Sequence, residues 1–476
     1  MAARSVPFQN VSGRKRIHRR FDSKHTTSIK LIVGVIAMLF FLKQSATMTT
    51  NLTPSTSVQF SRKNAENERY RAPISSAAST YKKEKQRTGS KAVVAYVISI
   101  TTCPVYPYKN ISSTPLDQTD STGQFSVFDG PAILGHSIHR SSIRFNATIS
   151  KYDYRLYAFV HPDSNDCAEN LSKLGYEILI RDTPIDVHRI HNEQYKEDIE
   201  SGGCCGSKEF MKLWAYTLVD HPIVVHLDTD VFLSKPFDNL FDAMLVDDAT
   251  NMTLPTMFNK PLPKTIDFFF TRDYKQRSRI TKDPSKYGVQ GGFFVIRPDV
   301  KLFQELVHTI QEGNYTKRDG WAGQQYGGYW GSSQIQGFLS YFYGSVRPLI
   351  AVELNRCLYN TMTDDNPMYQ GMCRTGEGEC EDCRLTPVSE VVSFHLTSCW
   401  KPWQCPKIKE PHPASCNDAH LAWFKLRQSL EIGWGIEVPT EGWWFERTLG
   451  YCRRPVGAKK RIYVPLQFKS ELIPLS

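Results

Sequence analysis

Ile223-Val-Val-His-Leu-Asp-Thr-Asp-Val-Phe-Leu233 is an apolar run that ends on two carboxylates, Asp228 and Asp230. A short run of this kind, rich in β-branched residues, reads as a strand buried on both faces, as in a parallel sheet. Comparable runs occur at Ala92 to Ile100, Tyr154 to Val160, Tyr176 to Ile180, Pro222 to Leu227, Gly292 to Ile296 and Val391 to Phe394. Helix-like stretches lie between them, at Ala132 to His139, Ala168 to Leu174, Lys208 to Leu218, Val300 to Ile310 and Gln334 to Tyr343. The alternation predicts an α/β class, with one Rossmann-like domain over 91–405 built on a mostly parallel sheet. Residues 406–476, with their Cys and Trp, extend it. Such sheets bind ligands beyond the carboxyl ends of their strands, where Asp228 and Asp230 fall.

The rest of the chain places this domain in a setting. Of the formal charge of +10, eight cations against Asp22 put +7 into residues 1–30, which excludes a folded nucleic-acid-binding surface as the source of the charge. The arm runs into twelve apolar residues, Leu31 to Leu42, closed by Lys43. A bilayer core needs roughly 20 helical residues, so Lys30 and Lys43 would have to snorkel for Thr26 to Met48 to cross. Lys43 and Gln44 stand where a signal peptide carries small residues before its cut, so the expectation is an uncleaved signal anchor over 31–48. Residues 1–30 are then cytosolic, 49–90 a polar flexible stem, and the remainder lumenal, in the Golgi or another secretory membrane. All twelve cysteines lie beyond residue 102, as expected for disulfides in an oxidising lumen, with zinc at Cys380-x-x-Cys383 as the alternative. Asn-x-Ser/Thr sequons at Asn51, Asn110, Asn146, Asn170, Asn251 and Asn314 agree with a glycoprotein.

Three motifs carry chemistry. Carboxylates at i and i+2 where a buried strand leaves the sheet can share one hard divalent cation, which can in turn clamp a diphosphate. A solvated acidic turn is the bland reading, but the wholly apolar strand and the following Pro236-Phe-Asp-Asn-Leu-Phe241 argue against it. Asp228-Thr-Asp-Val231 also fits a haloacid dehalogenase-like phosphatase, with a nucleophile and then a general acid, although such domains use their first strand. Next, Tyr287-Gly-Val-Gln-Gly-Gly-Phe-Phe-Val-Ile-Arg-Pro-Asp299 leads glycines into a strand, where Gly291 and Gly292 allow a ligand close to the backbone or simply a tight turn. Last, His395-Leu-Thr-Ser-Cys-Trp-Lys-Pro-Trp403 sets an imidazole at a strand end and an ammonium six residues on. The first suits a metal and the second a phosphate.

Taken together these motifs resemble glycosyltransferase family 8, the glycogenin-like retaining transferases of GT-A fold, over most of residues 92–405. Lys212-Leu213 and the Asp228-Thr-Asp230 strand are similar to the family's Lys-Leu segment and D-x-D strand. Val289 to Pro298 resembles its Asn-Ser-Gly-Val segment with Gln290-Gly291 in place of Asn-Ser, and His395 to Trp403 matches its His-x5-Lys-Pro-Trp element. Ala95 to Thr101 and Gly130 to Ser137 resemble its nucleotide-binding first strand and helix. The resemblance implies that Asp228, Asp230 and His395 hold Mn2+ (or Mg2+). It implies that Lys401 meets the diphosphate and Thr101 the nucleoside, with Lys212, Thr229, Gly292 and Gly337 also against the donor. Gln336, with Asp228 and Asp230, forms the implied catalytic set.

One departure concerns the family's Asp-Gly-Gly-Asp-Gln-Gly, which is Ser332-Ser-Gln-Ile-Gln-Gly337 here. Gln336 and Gly337 are kept, while Ser332 and Ile335 replace the two carboxylates. The preceding Trp321, Tyr326, Tyr329 and Trp330 form either a stacking surface for sugar rings or ordinary packing. The expected function is a Mn2+-dependent retaining hexosyltransferase, membrane-anchored by one N-terminal helix, that moves a sugar from a nucleotide-diphospho-sugar, UDP-linked by preference. Its acceptor is a glycan, glycoprotein or polysaccharide, and nucleic acid is not a partner. The alternatives are an inactive carbohydrate- or nucleotide-sugar-binding protein and the phosphatase.

Overall fold

A computed structural model describes residues 92–103, 128–145, 149–362, 366–405, 414–442, 444–454 and 461–467. The expected basic arm, signal anchor and stem lie outside these residues, as do Asn51, Asn110 and Asn146. Among the described residues no helix is long and apolar enough to cross a membrane.

The principal elements are β1 (Val93–Ile100), α1 (Asp129–Arg140), β2 (Asp153–Val160), α2 (Ala168–Lys173), β3 (Tyr176–Ile180), α3 (Glu193–Ser201), a 3-10 segment (Gly206–Thr217), β4 (Val224–Leu227), β5 (Val231–Leu233) and α4 (Asp238–Leu245). They continue with β6 (Phe268–Arg272), β7 (Val289–Ile296), α5 (Val300–Glu312), α6 (Ile335–Tyr341), β8 (Ala351–Glu353), β9 (Ser393–His395) and α7 (Ala414–Gly433). Seven strands form the central sheet in the order β8-β6-β7-β4-β1-β2-β3. All neighbours are parallel except that β7 runs antiparallel to both β4 and β6. The expected mixed α/β architecture with a mostly parallel sheet is therefore present.

Both faces of the sheet are covered, which is why its strands read as continuous apolar runs. Val94, Tyr96 and Ile98 of β1 join one core with Ile133 and Leu134 of α1 and Leu240 and Met244 of α4. Ala95 and Val97 point the other way, into a core with Phe210 and Leu213 of the 3-10 segment, Leu306 of α5 and Phe338 of α6.

Several expectations change. Val391 to Phe394 does not enter the central sheet: β9 pairs antiparallel with β5 in a separate ribbon. Lys208 to Leu218 is largely 3-10 rather than α-helical. Gly291 and Gly292 lie inside β7, so they form no turn before it. Cys380 and Cys383 do not form a zinc pair, because Cys380 bonds Cys373 and Cys383 bonds Cys357. The other pairs are Cys103–Cys167, Cys204–Cys205, Cys399–Cys416 and Cys405–Cys452, so all twelve cysteines are joined.

Candidate metal and donor site

Asp228 leaves the carboxyl end of β4, and the turn through Thr229 and Asp230 feeds straight into β5. Val231 N donates to Asp228 O at 3.1 Å and closes the turn. Because β9 pairs with β5, with His395 opposite Val231, an imidazole 165 residues further along the chain arrives beside the two carboxylates. Ligand atoms of Asp228, Asp230 and His395 all lie within 4.8 Å of one another. His395 Nε2 is 3.2 Å from Asp230 Oδ1.

The ring is oriented from behind. His395 Nδ1 donates to Asn360 Oδ1 at 2.9 Å, and Asn360 Nδ2 donates to Thr271 Oγ1 at 2.9 Å. Nε2 thereby faces the carboxylates, the arrangement in which a histidine can share a metal ion with them. Asn360 adopts φ 53°, a left-handed conformation that Asn tolerates better than most residues.

Two glycines make this corner possible. A Cβ on Gly292 would lie 2.5 Å from Asp228 Oδ2 and 2.6 Å from His395 Cε1, so β7 can pass behind the acids only without a side chain. A Cβ on Gly130 would lie 2.3 Å from Thr229 O, so the first turn of α1 rests directly on the acidic turn.

Each carboxylate has a cation. Lys401 Nζ contacts Asp230 Oδ2. Lys212 Nζ donates to Asp228 Oδ1 at 3.0 Å and to Gly291 O at 3.1 Å. Burial alone would raise both carboxyl pKa values. His395 and Lys401 outweigh it at Asp230 and Lys212 outweighs it at Asp228, holding both below the ordinary carboxylate range. Burial likewise opposes the charge on Lys212, but Asp228 and Glu209 raise its pKa. On β4 the buried His226 is lowered to about 3, first by burial and then by Lys212. The donor set of two carboxylates and one imidazole, with space preserved by Gly292, fits a divalent metal ion.

The remaining expected residues lie around this cluster at different distances. Gln336 is near it: its Cγ lies 3.3 Å from where a Cβ on Gly291 would sit, and its Oε1 is buried without a hydrogen-bond partner. Thr101 sits half-buried just past β1, the strand beside β4, and makes no hydrogen bond to the cluster among the described residues. Gly337 answers to its own turn, since a Cβ there would lie 2.0 Å from Ser332 O. Ser332 Oγ bonds Tyr315 OH at 2.9 Å, and Ile335 is fully buried beside Gly291. Trp321 and Tyr326 are packing residues at 0% and 2% exposure, whereas Trp330 is 52% exposed.

Asn360 and Glu209 belong to the site but were not singled out from the sequence. Glu209 Oε2 lies 3.5 Å from Lys212 Nζ. Its spacing of three residues from Lys212 was the available signal, and only a 3-10 conformation makes those positions eclipse.

No family model matches the chain, and no curated protein matches it. Among solved structures it is similar to mouse xyloside xylosyltransferase 1, at 12% identity and TM-score 0.36, over 65% of this chain and 99% of that one. It is similar to galactosyltransferase LgtC in complex with donor and acceptor sugar analogs, at 11% identity and TM-score 0.38, over 75% and 99%. A third is the glycosyltransferase GlyE of Streptococcus pneumoniae, at 10% identity and TM-score 0.36, over 73% and 63%. These likenesses are too distant to carry a functional argument, which rests on the residues of the site.

Proposed function

We propose that the protein is a nucleotide-sugar glycosyltransferase that transfers a hexosyl group with retention from a nucleotide-diphospho-sugar, with UDP the nucleotide, to a glycan, glycoprotein or polysaccharide. The observation that carries this reading is the convergence of Asp228, Asp230 and His395 with Lys401 and Lys212 at the carboxyl end of β4. Asp228, Asp230 and His395 would hold Mn2+ or Mg2+, which when bound supplies positive charge to a departing nucleoside diphosphate. Lys401, with a side chain 25% exposed, has the freedom to exchange Asp230 for a phosphate. Lys212 is confined and suited to orienting the donor rather than following the leaving group. Gln336, with its unpartnered buried Oε1, is the polar group we assign next to the transferred sugar. Thr101 and Thr229 complete the donor side.

The basic arm, the apolar run and the cysteine-rich body support a type II membrane protein of the secretory pathway with this domain in the lumen. The test is hydrolysis of a panel of UDP-sugars by the protein with Mn2+ present or chelated. Manganese-dependent turnover lost in Asp230→Ala is expected. Phosphate release from simple phosphoesters would instead favour the phosphatase, and UDP binding without turnover of any donor would favour a carbohydrate-binding protein.

A further inference from the structure

Lys212 is the cation that the site cannot release. Its side chain is 10% exposed, and its ammonium is held by Gly291 O as well as by Asp228. A divalent ion at Asp228 would compete for the carboxylate that neutralises this lysine. Lys401 faces the same competition at Asp230, but it can move toward solvent or a phosphate. Lys212 has no such exit, and a buried charge deprived of its partner is costly.

One further carboxylate lies within reach. Glu209 precedes Lys212 by one turn of the 3-10 segment, where residues three apart lie on the same edge. Its Oε2 is 3.5 Å from Lys212 Nζ, its side chain is 12% exposed, and its other oxygen packs against Cys204 of the Cys204–Cys205 pair. Asp228 and Glu209 are the two carboxylates that act on Lys212.

We propose that Glu209 is a positioning residue for the cation site: it is the standing counter-ion of Lys212, and it lets Asp228 turn from the lysine to a divalent ion without stranding a buried charge. This rests on the reading of Asp228, Asp230 and His395 as cation ligands. Glu209 is therefore a determinant of metal affinity, although it does not touch the metal.

The test is calorimetric titration of the full-length protein with Mn2+, without nucleotide, in wild type, Glu209→Gln, Lys212→Met and the double variant. Glu209→Gln should weaken Mn2+ binding about tenfold, because Lys212 then holds Asp228 as its sole counter-ion. Lys212→Met should bind at least as tightly as wild type, and adding Glu209→Gln to it should change affinity by less than about twofold. An unchanged affinity in Glu209→Gln, or an equal loss in both backgrounds, would overturn the proposal, the second marking a merely structural role. Wild-type protein that binds no Mn2+ would defeat the cation reading and this inference together. Wild-type binding with no coupling would defeat only the role of Glu209.

Discussion

The cluster of paired charges around Arg427 and the one around Asp228 and Asp230 are both buried, and they differ in what their members touch. In the first, Arg427 on α7 reaches Glu431 at 2.9 Å, Asp129 at the start of α1 at 3.4 Å and Val464 O at 2.6 Å. Tyr463 OH also bonds Asp129, Tyr451 OH bonds Glu431, and Leu466 N donates to Asp129 at 3.1 Å. Every member is bonded inside the protein, so this cluster ties the C-terminal segment to α1. The second cluster, around Asp228 and Asp230, is lined by lysines whose bonds to the acids are the ones a metal and a diphosphate would take over. The two adjoin through Asp129 and Gly130, since Gly130 lies against Thr229 O. A closed charge network thus backs the turn on which the open one is built, and the groups proposed to bind neighbour those that tie down the C-terminal segment.

Breaking either cluster gives the largest effects. Asp230→Ala should lower turnover of a UDP-sugar about 10^3-fold while leaving the chemical unfolding transition near its original midpoint. Arg427→Met should do the reverse, costing about 3–5 kcal/mol of stability because Asp129 and Glu431 stay buried without their cation. Denaturant titration measures the unfolding midpoints of both variants, and hydrolysis of the UDP-sugar with Mn2+ measures their turnover. Gly292→Ala should weaken Mn2+ binding about 10- to 100-fold, since its methyl group overlaps Asp228 and His395.

A pH effect is expected at the α1–α7 contact, where His136 Nε2 meets Ser429 Oγ at 3.2 Å. Burial lowers His136 to about 4, well under the ordinary value of about 6.5. The unfolded chain then takes up this proton first as pH falls. The contribution is fully present above about pH 6.5 and is lost toward about pH 4, at up to about 1.4 kcal/mol per pH unit. Denaturant titrations at several pH values should show a shallower loss in His136→Gln.

The open cluster was legible where a sequence signal ended on it. Asp228 and Asp230 terminate an apolar strand, and His395 does the same for the run at Val391 to Phe394. Periodicity does not name a strand's partner, so that run reads like a central-sheet strand although β9 pairs with β5. β6 carries a weak signal because its apolar stretch is short and ends in Arg272, a buried charge paired with Glu353 of β8 at 3.1 Å. β8 is three residues long. Glycines inside a strand read as a turn, and the reason for Gly292 is visible only once Asp228 and His395 stand against it. Asn360 is 35 residues from His395 and carries no pattern that would announce a supporting hydrogen bond.

Electron paramagnetic resonance of bound Mn2+ tests the central claim most directly. In wild-type protein the ion should show nitrogen coupling from one imidazole, lost in His395→Ala, and phosphorus coupling when UDP is added. Mn2+ that shows no nitrogen coupling, or that binds unchanged in the Asp228→Ala/Asp230→Ala double variant, would contradict a metal site built from Asp228, Asp230 and His395.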